Sequence, residues 1–273
     1  MTRLLLLLLP LAARADTLRV EPASRLLQGA AATQQFLAIA TAPDGLDRDV
    51  TTEVAWSVSG TGRASIDATG KLTALADGAV RVTARWQGRT AAASLEIRDA
   101  ARAREFAFGI DIGGILTRQG CNGANCHGGV KGRGGFKLSA GALHPKEDYE
   151  WIVKGGAYQV LTSEVKGPRQ PRIDLARPEA SLLLQKATGA APHGGGRRFA
   201  PGSRDYETIL DWIRRGAPFG PDDLRENRVV RLEVTPRVVT LTAGGQHRLL
   251  VTAHLAGGAS VDFTSQALYI SND

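Results

Sequence analysis

Two kinds of periodicity alternate along this chain. Between Leu18 and Ile97, short runs place apolar side chains at every second position and stop at turn residues. Phe36-Leu37-Ala38-Ile39-Ala40 ends at Pro43-Asp44-Gly45, Val54-Ala55-Trp56-Ser57-Val58 ends at Ser59-Gly60, and Ala68-Thr69-Gly70 links two further runs. A period of two belongs to strands buried on one face, so this stretch is expected to form an all-β sandwich. Val80–Trp86 and Thr90–Ile97 flank Gln87-Gly88 and read as a hairpin. Trp56 and Trp86 are expected to pack within the sheets.

Past an Ala- and Arg-rich linker at 99–105 the period changes to that of helices. Phe106–Gln119 carries Phe106, Ile110, Ile115 and Leu116 among Gly109, Gly113 and Gly114. Each glycine costs a helix nearly ~1 kcal/mol relative to Ala, which asks for a closely crossing partner. The partner expected is a helix capped by Ser203, with Asp205 and Glu207 in its first turn, an apolar face of Tyr206, Ile209, Leu210 and Ile213, and an end at Arg214-Arg215-Gly216. Two proline-opened helices fall between them, Pro145–Lys154 stopped by Gly155-Gly156 and Pro178–Lys186 stopped by Gly189.

Alternation returns after a second linker at 221–230, and it returns as a repeat. Leu18-Arg19-Val20-Glu21-Pro22 recurs as Leu232-Glu233-Val234-Thr235-Pro236, and Asp49–Trp56 recurs as Asp262–Tyr269, the offset changing by one residue between the blocks. Both copies resemble the group 2 bacterial Ig-like domain, and Ser65-Ile66-Asp67, Gly70–Ala74 and Gly78–Ala84 match its later strands. The second copy stops about halfway at Asp273. The chain therefore reads as part of something longer, with an unpaired sheet edge.

The only two cysteines lie in Cys121-Asn122-Gly123-Ala124-Asn125-Cys126-His127. Two thiols followed at once by a histidine suit haem attachment: the thiols add to the two vinyl groups, and the next side chain swings under the iron as its proximal ligand. Four residues separate the cysteines here, against two in the common pattern, and Asn, Gly and Ala suit a slightly longer loop. Two alternatives stay open at this level. The cysteines could close a disulfide, leaving His127 idle, or join His127 around zinc, with a fourth ligand unassigned.

Met1–Ala15 has Arg3, an apolar run from Leu4 to Leu11 and Ala13-Arg14-Ala15, and reads as a cleaved secretory signal. The run is far short of the roughly 20 residues of a membrane span. Periplasmic or secreted placement is expected, with no integral membrane segment. The net charge of +7 could favour an acidic partner or an anionic surface, although no run of five like charges occurs. No nucleic-acid motif is found, nor a phosphate-binding glycine loop, a G-x-S-x-G elbow or an H-E-x-x-H helix. Asp222-Asp223 falls in the second linker.

Several separate blocks look like the planctomycete-type cytochrome c domain. They are Cys121–His127, Lys131–Ser139, Asp148-Tyr149, Pro178–Leu184, Lys186–Gly189, Pro192–Gly195 and Asp211-Trp212-Ile213. The resemblance spans about 106–218 and implies a mainly α domain holding one covalent haem c. Such domains accompany group 2 Ig-like repeats in large exported proteins.

The sixth iron ligand follows by elimination. The single methionine is Met1, which leaves with the signal peptide, so a His-Met centre is excluded. Of five histidines, His127 is proximal, His247 and His254 lie in strand runs, and His144 precedes Pro145 and begins a helix. His193, in Pro192-His193-Gly194-Gly195-Gly196, is the favoured distal ligand, with Arg197 and Arg198 available to the haem propionates.

The expected organisation is multidomain: signal peptide 1–15, an all-β Ig-like sandwich 16–98, a mainly α cytochrome c-like haem domain 106–220, and a truncated second Ig-like sandwich 231–273. The expected function is electron transfer with a redox partner protein or with C-terminal domains beyond this chain. Two other outcomes stay open, a haem enzyme with an open iron position served by His193 and Arg197, and an adhesive Ig-like protein without haem.

Overall fold

The computed structural model describes residues 17–102, 105–155, 170–221, 226–241 and 243–271. The expected signal sequence and Asp222-Asp223 lie outside the described residues. The chain divides into two compact units, one of residues 1–104 with 228–265, the other of residues 105–227 with 266–273.

The first unit opens with ten strands: β1 Thr17–Glu21, β2 Ser24–Gln28, β3 Thr33–Gln35, β4 Leu37–Thr41, β5 Asp47–Asp49, β6 Ala55–Val58, β7 Ala64–Ile66, β8 Lys71–Ala74, β9 Gly78–Trp86 and β10 Arg89–Arg98. They pair in the orders β1-β4-β5, β2-β10-β9-β6 and β3-β8-β7. The alternation read from the sequence is what fills the core. Val80, Val82, Ala84 and Trp86 of β9 face inward with Ala93, Leu95 and Ile97 of β10. The expected hairpin turns at Gln87 and Gly88, both at positive φ, which matches the twist of the flanking strands. Trp56 packs against the same core and donates its indole N–H to the Thr51 carbonyl at 2.9 Å. Gly70 stands at φ +80° where a Cβ would come within 2.5 Å of the Phe36 carbonyl oxygen, so no other residue closes that turn.

The repeat is visible in three dimensions. Strands β11 Val229–Thr235, β12 Leu250–Leu255 and β13 Ser260–Asp262 pair in the order β11-β12-β13, as β1, β4 and β5 do. Glu21 pairs Leu37 as Thr235 pairs Leu250, which places the one-residue change of offset between the first two strands of each copy. Thr51 N–H donates to Asp49 Oδ1 at 2.9 Å and Thr264 N–H to Asp262 Oδ1 at 2.8 Å. The Thr51 hydroxyl accepts from Ala38 N–H, and the Thr264 hydroxyl from Val251 N–H, both at 3.0 Å. His254 lies in β12 as expected, whereas His247 lies outside the strands because pairing begins only at Leu250.

The two copies also meet through equivalent positions. Gln35 N–H donates to Asp262 Oδ2 at 2.6 Å, and Arg248 N–H donates to Asp49 Oδ2 at 2.9 Å. Between these reciprocal bonds Leu250 is buried against Leu37 and Ile39. Equivalent residues exchanging equivalent contacts is the pattern of an isologous, two-fold interface, here formed within one chain. Burial of each large aliphatic side chain contributes about 1.5–3 kcal/mol.

The second unit carries four helices, α1 Phe108–Arg118, α2 Pro145–Val153, α3 Leu182–Thr188 and α4 Arg204–Arg214. Ser203 caps α4 by accepting from Tyr206 N–H, and Ile209, Leu210, Trp212 and Ile213 are buried. Helix α1 meets α4 through Phe108, whose ring lies 5.6 Å from that of Trp212. The glycines of α1 serve another neighbour. A Cβ at Gly109 would stand 3.3 Å from Pro145 Cβ and one at Gly113 3.2 Å from Ala142 Cβ, so they admit the start of α2 and not α4. The run from Pro178 is broken at Ser181, which is extended because its hydroxyl accepts from Asp174 N–H; a 3-10 turn precedes it and α3 follows. Arg118 donates to Asp205 Oδ1 at 2.5 Å and Gln119 to Asp205 Oδ2 at 2.6 Å, a largely buried clamp between α1 and α4. Among the described residues no helix is long and apolar enough to cross a membrane.

Candidate functional site

Helix α1 ends into the cysteine loop, and backbone bonds close the loop on itself. Cys121 N–H returns to the Leu116 carbonyl at 2.8 Å, Cys126 N–H to Gly123 at 2.9 Å and His127 N–H to Cys121 at 2.9 Å. Buried Asn122 donates its amide to the Thr117 hydroxyl at 2.9 Å. The closure is so tight that a Cβ on Gly128 would lie 1.9 Å from the Asn122 carbonyl oxygen. Lys137 Nζ donates to the carbonyls of Gly128 and Gly129 at 2.9 and 2.7 Å and fixes the exit.

The loop forms one wall of a cavity of about 560 Å³. Leu116, Phe136, Leu138, Leu183 and Ala187 supply apolar lining, and Cys121, Cys126, His127 and His193 all open into it. Arg133, Arg172, Lys186 and Arg198 are the charged lining residues among those described, and no described carboxylate joins them. Both cysteines are free thiols. Burial pushes the Cys121 thiol up to about 11, so it stands protonated at neutral pH. Arg198 bridges the wall, with Nη2 3.7 Å from Cys126 Sγ and Nη1 donating to the Gln119 carbonyl at 3.3 Å.

The two histidines share one orientation. His127 Nδ1 lies 2.9 Å from the Phe136 carbonyl and His193 Nδ1 2.9 Å from the Gly196 carbonyl. A carbonyl only accepts, so each Nδ1 carries a hydrogen and each Nε2 is the nitrogen left free of that bond. Burial lowers the His127 pKa, which favours the neutral, ligating form. The rings are within 9° of parallel with centroids 6.2 Å apart. A metal ion held end-on by two imidazoles at about 2.0 Å each puts the ring centres about 6 Å apart. Gly195 makes room for this arrangement, since a Cβ there would stand 2.9 Å from His193 Cε1 and 3.1 Å from Arg198 Nη2.

These residues fit a haem. The cavity volume lies within the roughly 300–1,000 Å³ of cofactor sites, and two thiols, two imidazoles and the guanidinium groups of Arg133, Arg172 and Arg198 face one space. Among the described residues no three His, Cys, Asp or Glu gather to hold a metal ion unaided.

Of the residues singled out by sequence, Cys121, Cys126, His127 and His193 come together, with Arg198 beside them. His144 is exposed at the start of α2 and Arg197 is exposed; neither lines the cavity. Sequence reasoning noted Arg133, Phe136 and Lys186 only within blocks of resemblance and gave them no site role, and it missed Arg172. The short separation of Phe136 from His127 is a usable signal, whereas nothing local marks Arg172, which follows α2 in the chain, donates its backbone N–H to the Ile152 carbonyl at 2.7 Å and lies over the Phe136 ring at 5.0 Å.

Comparison with known proteins places the N-terminal part of the first unit. Residues 15–96 match the bacterial Ig-like domain (group 2), and the N-terminal sandwich is Ig-like. Among solved structures, one chain of a titin M10–obscurin-like 1 Ig complex is 13% identical, over 31% of this chain and 95% of that chain, with a TM-score of 0.22. No curated protein matches this chain.

The repeat also explains a constellation that resembles a catalytic triad. Ser260 Oγ lies 3.0 Å from His254 Nδ1, and His254 Nε2 lies 3.0 Å from Glu233 Oε2. By the repeat these residues occupy the places of Asp47, Thr41 and Arg19, which form a cross-strand ladder through Arg19–Asp47 contacts of 2.9 and 2.5 Å. The Ser-His-Glu chain is the same ladder in another alphabet, with Arg231 at 3.2 Å from Glu233 in place of an oxyanion hole.

Proposed function

We propose that residues 106–220 are a haem c domain and that the protein is an exported electron carrier. In this reading Cys121 and Cys126 carry the two thioether bonds, His127 is the proximal and His193 the distal ligand. One haem is bound, and residues 228–265 are half of a second Ig-like unit. The observation that carries the reading is the pair of parallel imidazoles, each with Nδ1 on a backbone carbonyl, across a cavity that holds both cysteines.

When bound, the haem supplies a one-electron Fe(III)/Fe(II) couple. The residues of the chain do the rest. The Phe136 and Gly196 carbonyls fix ring orientation and raise imidazole basicity through the Nδ1 hydrogens. Leu116, Leu138 and Leu183 exclude water, and Arg172 and Arg198 offer guanidinium groups to the propionates. Two histidine ligands leave no position for a substrate, and they give a lower potential than a methionine ligand would. Covalent attachment of this kind is made outside the cytoplasm, which agrees with the export signal read in residues 1–15.

The test is to export the chain in a host that matures c-type haem, denature it, and look for haem retained on the polypeptide, with an absorption spectrum of the native protein. Retained haem with a low-spin spectrum is expected. A high-spin spectrum that shifts with peroxide or carbon monoxide would replace the carrier by an enzyme, and no haem with Cys121 bonded to Cys126 would leave an adhesive Ig-like protein.

A further inference from the structure

Helix α2 carries a buried acid, Asp148, which is 1% exposed. A carboxylate taken out of water is costly unless hydrogen bonds satisfy it. Here one residue of another segment satisfies both oxygens: Ser139 donates its N–H to Oδ1 at 2.6 Å and its hydroxyl to Oδ2 at 2.7 Å. The same hydroxyl accepts from His144 N–H at 3.0 Å, where α2 begins. The helix is itself held in place, since Ile152 is fully buried and the Tyr149 hydroxyl donates to the Ala217 carbonyl at 2.9 Å.

The segment that Asp148 grips is the one that turns the His127 ring. Within residues 136–139, the Phe136 carbonyl meets His127 Nδ1 at 2.9 Å and Leu138 N–H donates to the His127 carbonyl at 2.8 Å. Ring and backbone of His127 are thus held by a segment nine residues on, whose last residue is pinned to α2. His193 is held differently. Its Nδ1 faces the Gly196 carbonyl at 2.9 Å, and Gly196 N–H returns to the His193 carbonyl at 2.9 Å, a turn that closes on itself. A clamp that merely stiffened the unit would serve both rings alike, whereas the bonds of this one lead to His127.

We infer that Asp148 is the positioning residue of His127: from α2 it sets the register of residues 136–139, so that the Phe136 carbonyl meets Nδ1 and Nε2 is turned to the iron. The inference rests on the haem reading for the iron, and not for the placement of the ring. The bond made by one ring nitrogen decides which tautomer is present, and an imidazole whose Nδ1–H is bound is the more basic ligand. Freed from Phe136, the His127 ring should share its hydrogen between both nitrogens. It would then give less to Fe(III), and the potential should rise.

The test compares the full chain with its D148A, D148N and S139A variants. Asn keeps an oxygen for Ser139 N–H and loses the charge, Ala loses both, and S139A removes only the hydroxyl. In the haem-free chain, ring-nitrogen NMR shifts are read at about pH 8, above the ordinary histidine pKa of about 6.5. His127 should pass from the Nδ1–H form to a mixture of tautomers in D148A, and partway in S139A, while D148N keeps the wild-type form and His193 is unmoved throughout. Where D148A no longer melts cooperatively, S139A decides. A His127 signal unmoved in the alanine variants, or both histidines moving together, would overturn the inference. In the haem-loaded chain D148A and D148N both lack the charge, so the difference between their potentials reports placement. D148A should favour Fe(II) over D148N by about tenfold, or about 59 mV; equal potentials would overturn the inference for the iron. Wild-type chain that retains no haem would sink the haem reading and leave the tautomer to decide the placement.

Discussion

The ring planes of His127 and His193 are within 9° of parallel, and each ring is turned by a backbone carbonyl 2.9 Å from its Nδ1. Neither orientation depends on the other ring, so each is set in advance of any ligand. His193→Ala should therefore remove one ligand and leave the attachment intact. Haem should remain on the denatured polypeptide, while the native spectrum changes from low to high spin and gains a response to carbon monoxide. An unchanged low-spin spectrum would move the distal role to another side chain, with His144 the first to test.

Gly128 decides whether the cysteine loop closes. Its missing Cβ would fall 1.9 Å from the Asn122 carbonyl oxygen and 3.0 Å from that of Gly123, and these are backbone atoms that cannot turn aside. Gly128→Ala should open the loop at a cost above the 1–3 kcal/mol of ordinary overpacking, about 3 kcal/mol or more. The yield of covalently bound haem should drop sharply on a haem-stained gel, whereas Gly134→Ala, with nothing within 4 Å, should lose only what its φ of +64° costs.

Much of the cavity wall was legible because its cysteines and histidine lie close together in the chain. Cys121, Cys126 and His127 are neighbours in the chain, and the Gly-rich run around His193 marks a close approach of backbone. Arg172 was not legible, since its place depends on where the chain returns after α2. The strands were legible from alternation, and the caps at Ser203 and Gly189 from residue type. What the pattern could not give was the neighbour of each face. The glycines of α1 announced a close contact without saying that Pro145 and Ala142 make it. The repeat announced two similar sheets without saying that they would meet through Asp49 and Asp262.

Asp47 gives the Ig-like domain an acid-sensitive tie. The Arg19 guanidinium bonded to it holds its carboxyl at about 2, against 3.8 when unpaired. A depressed pKa means that the unfolded chain binds the proton first, so the stabilisation is present above about pH 3.8 and is lost as pH falls toward 2. Both side chains are more than a third exposed, so solvent screens the pair and the effect is small. Asp47→Asn should melt slightly lower at pH 7, and the gap from wild type should close between pH 4 and pH 2 in thermal melts.

The reciprocal bonds between the repeats can be opened one side at a time. Asp262 accepts from Gln35 N–H and also turns the chain at Thr264, while Asp49 accepts from Arg248 N–H and turns it at Thr51. The Gln35 N–H, left without its carboxylate in a partly buried position, costs about 1–2 kcal/mol, which is roughly a five- to thirtyfold faster exchange of that amide; the Arg248 bond is exposed and its amide should respond less. Asp262→Ala should speed hydrogen exchange at Gln35, and Asp49→Ala at Arg248, read by NMR. Because Leu250 with Leu37 and Ile39 lies between the two bonds and joins them, each substitution should also speed exchange at the other's amide, though by less. Two amides that respond independently would mean that the seam is two separate contacts, not one cooperative interface.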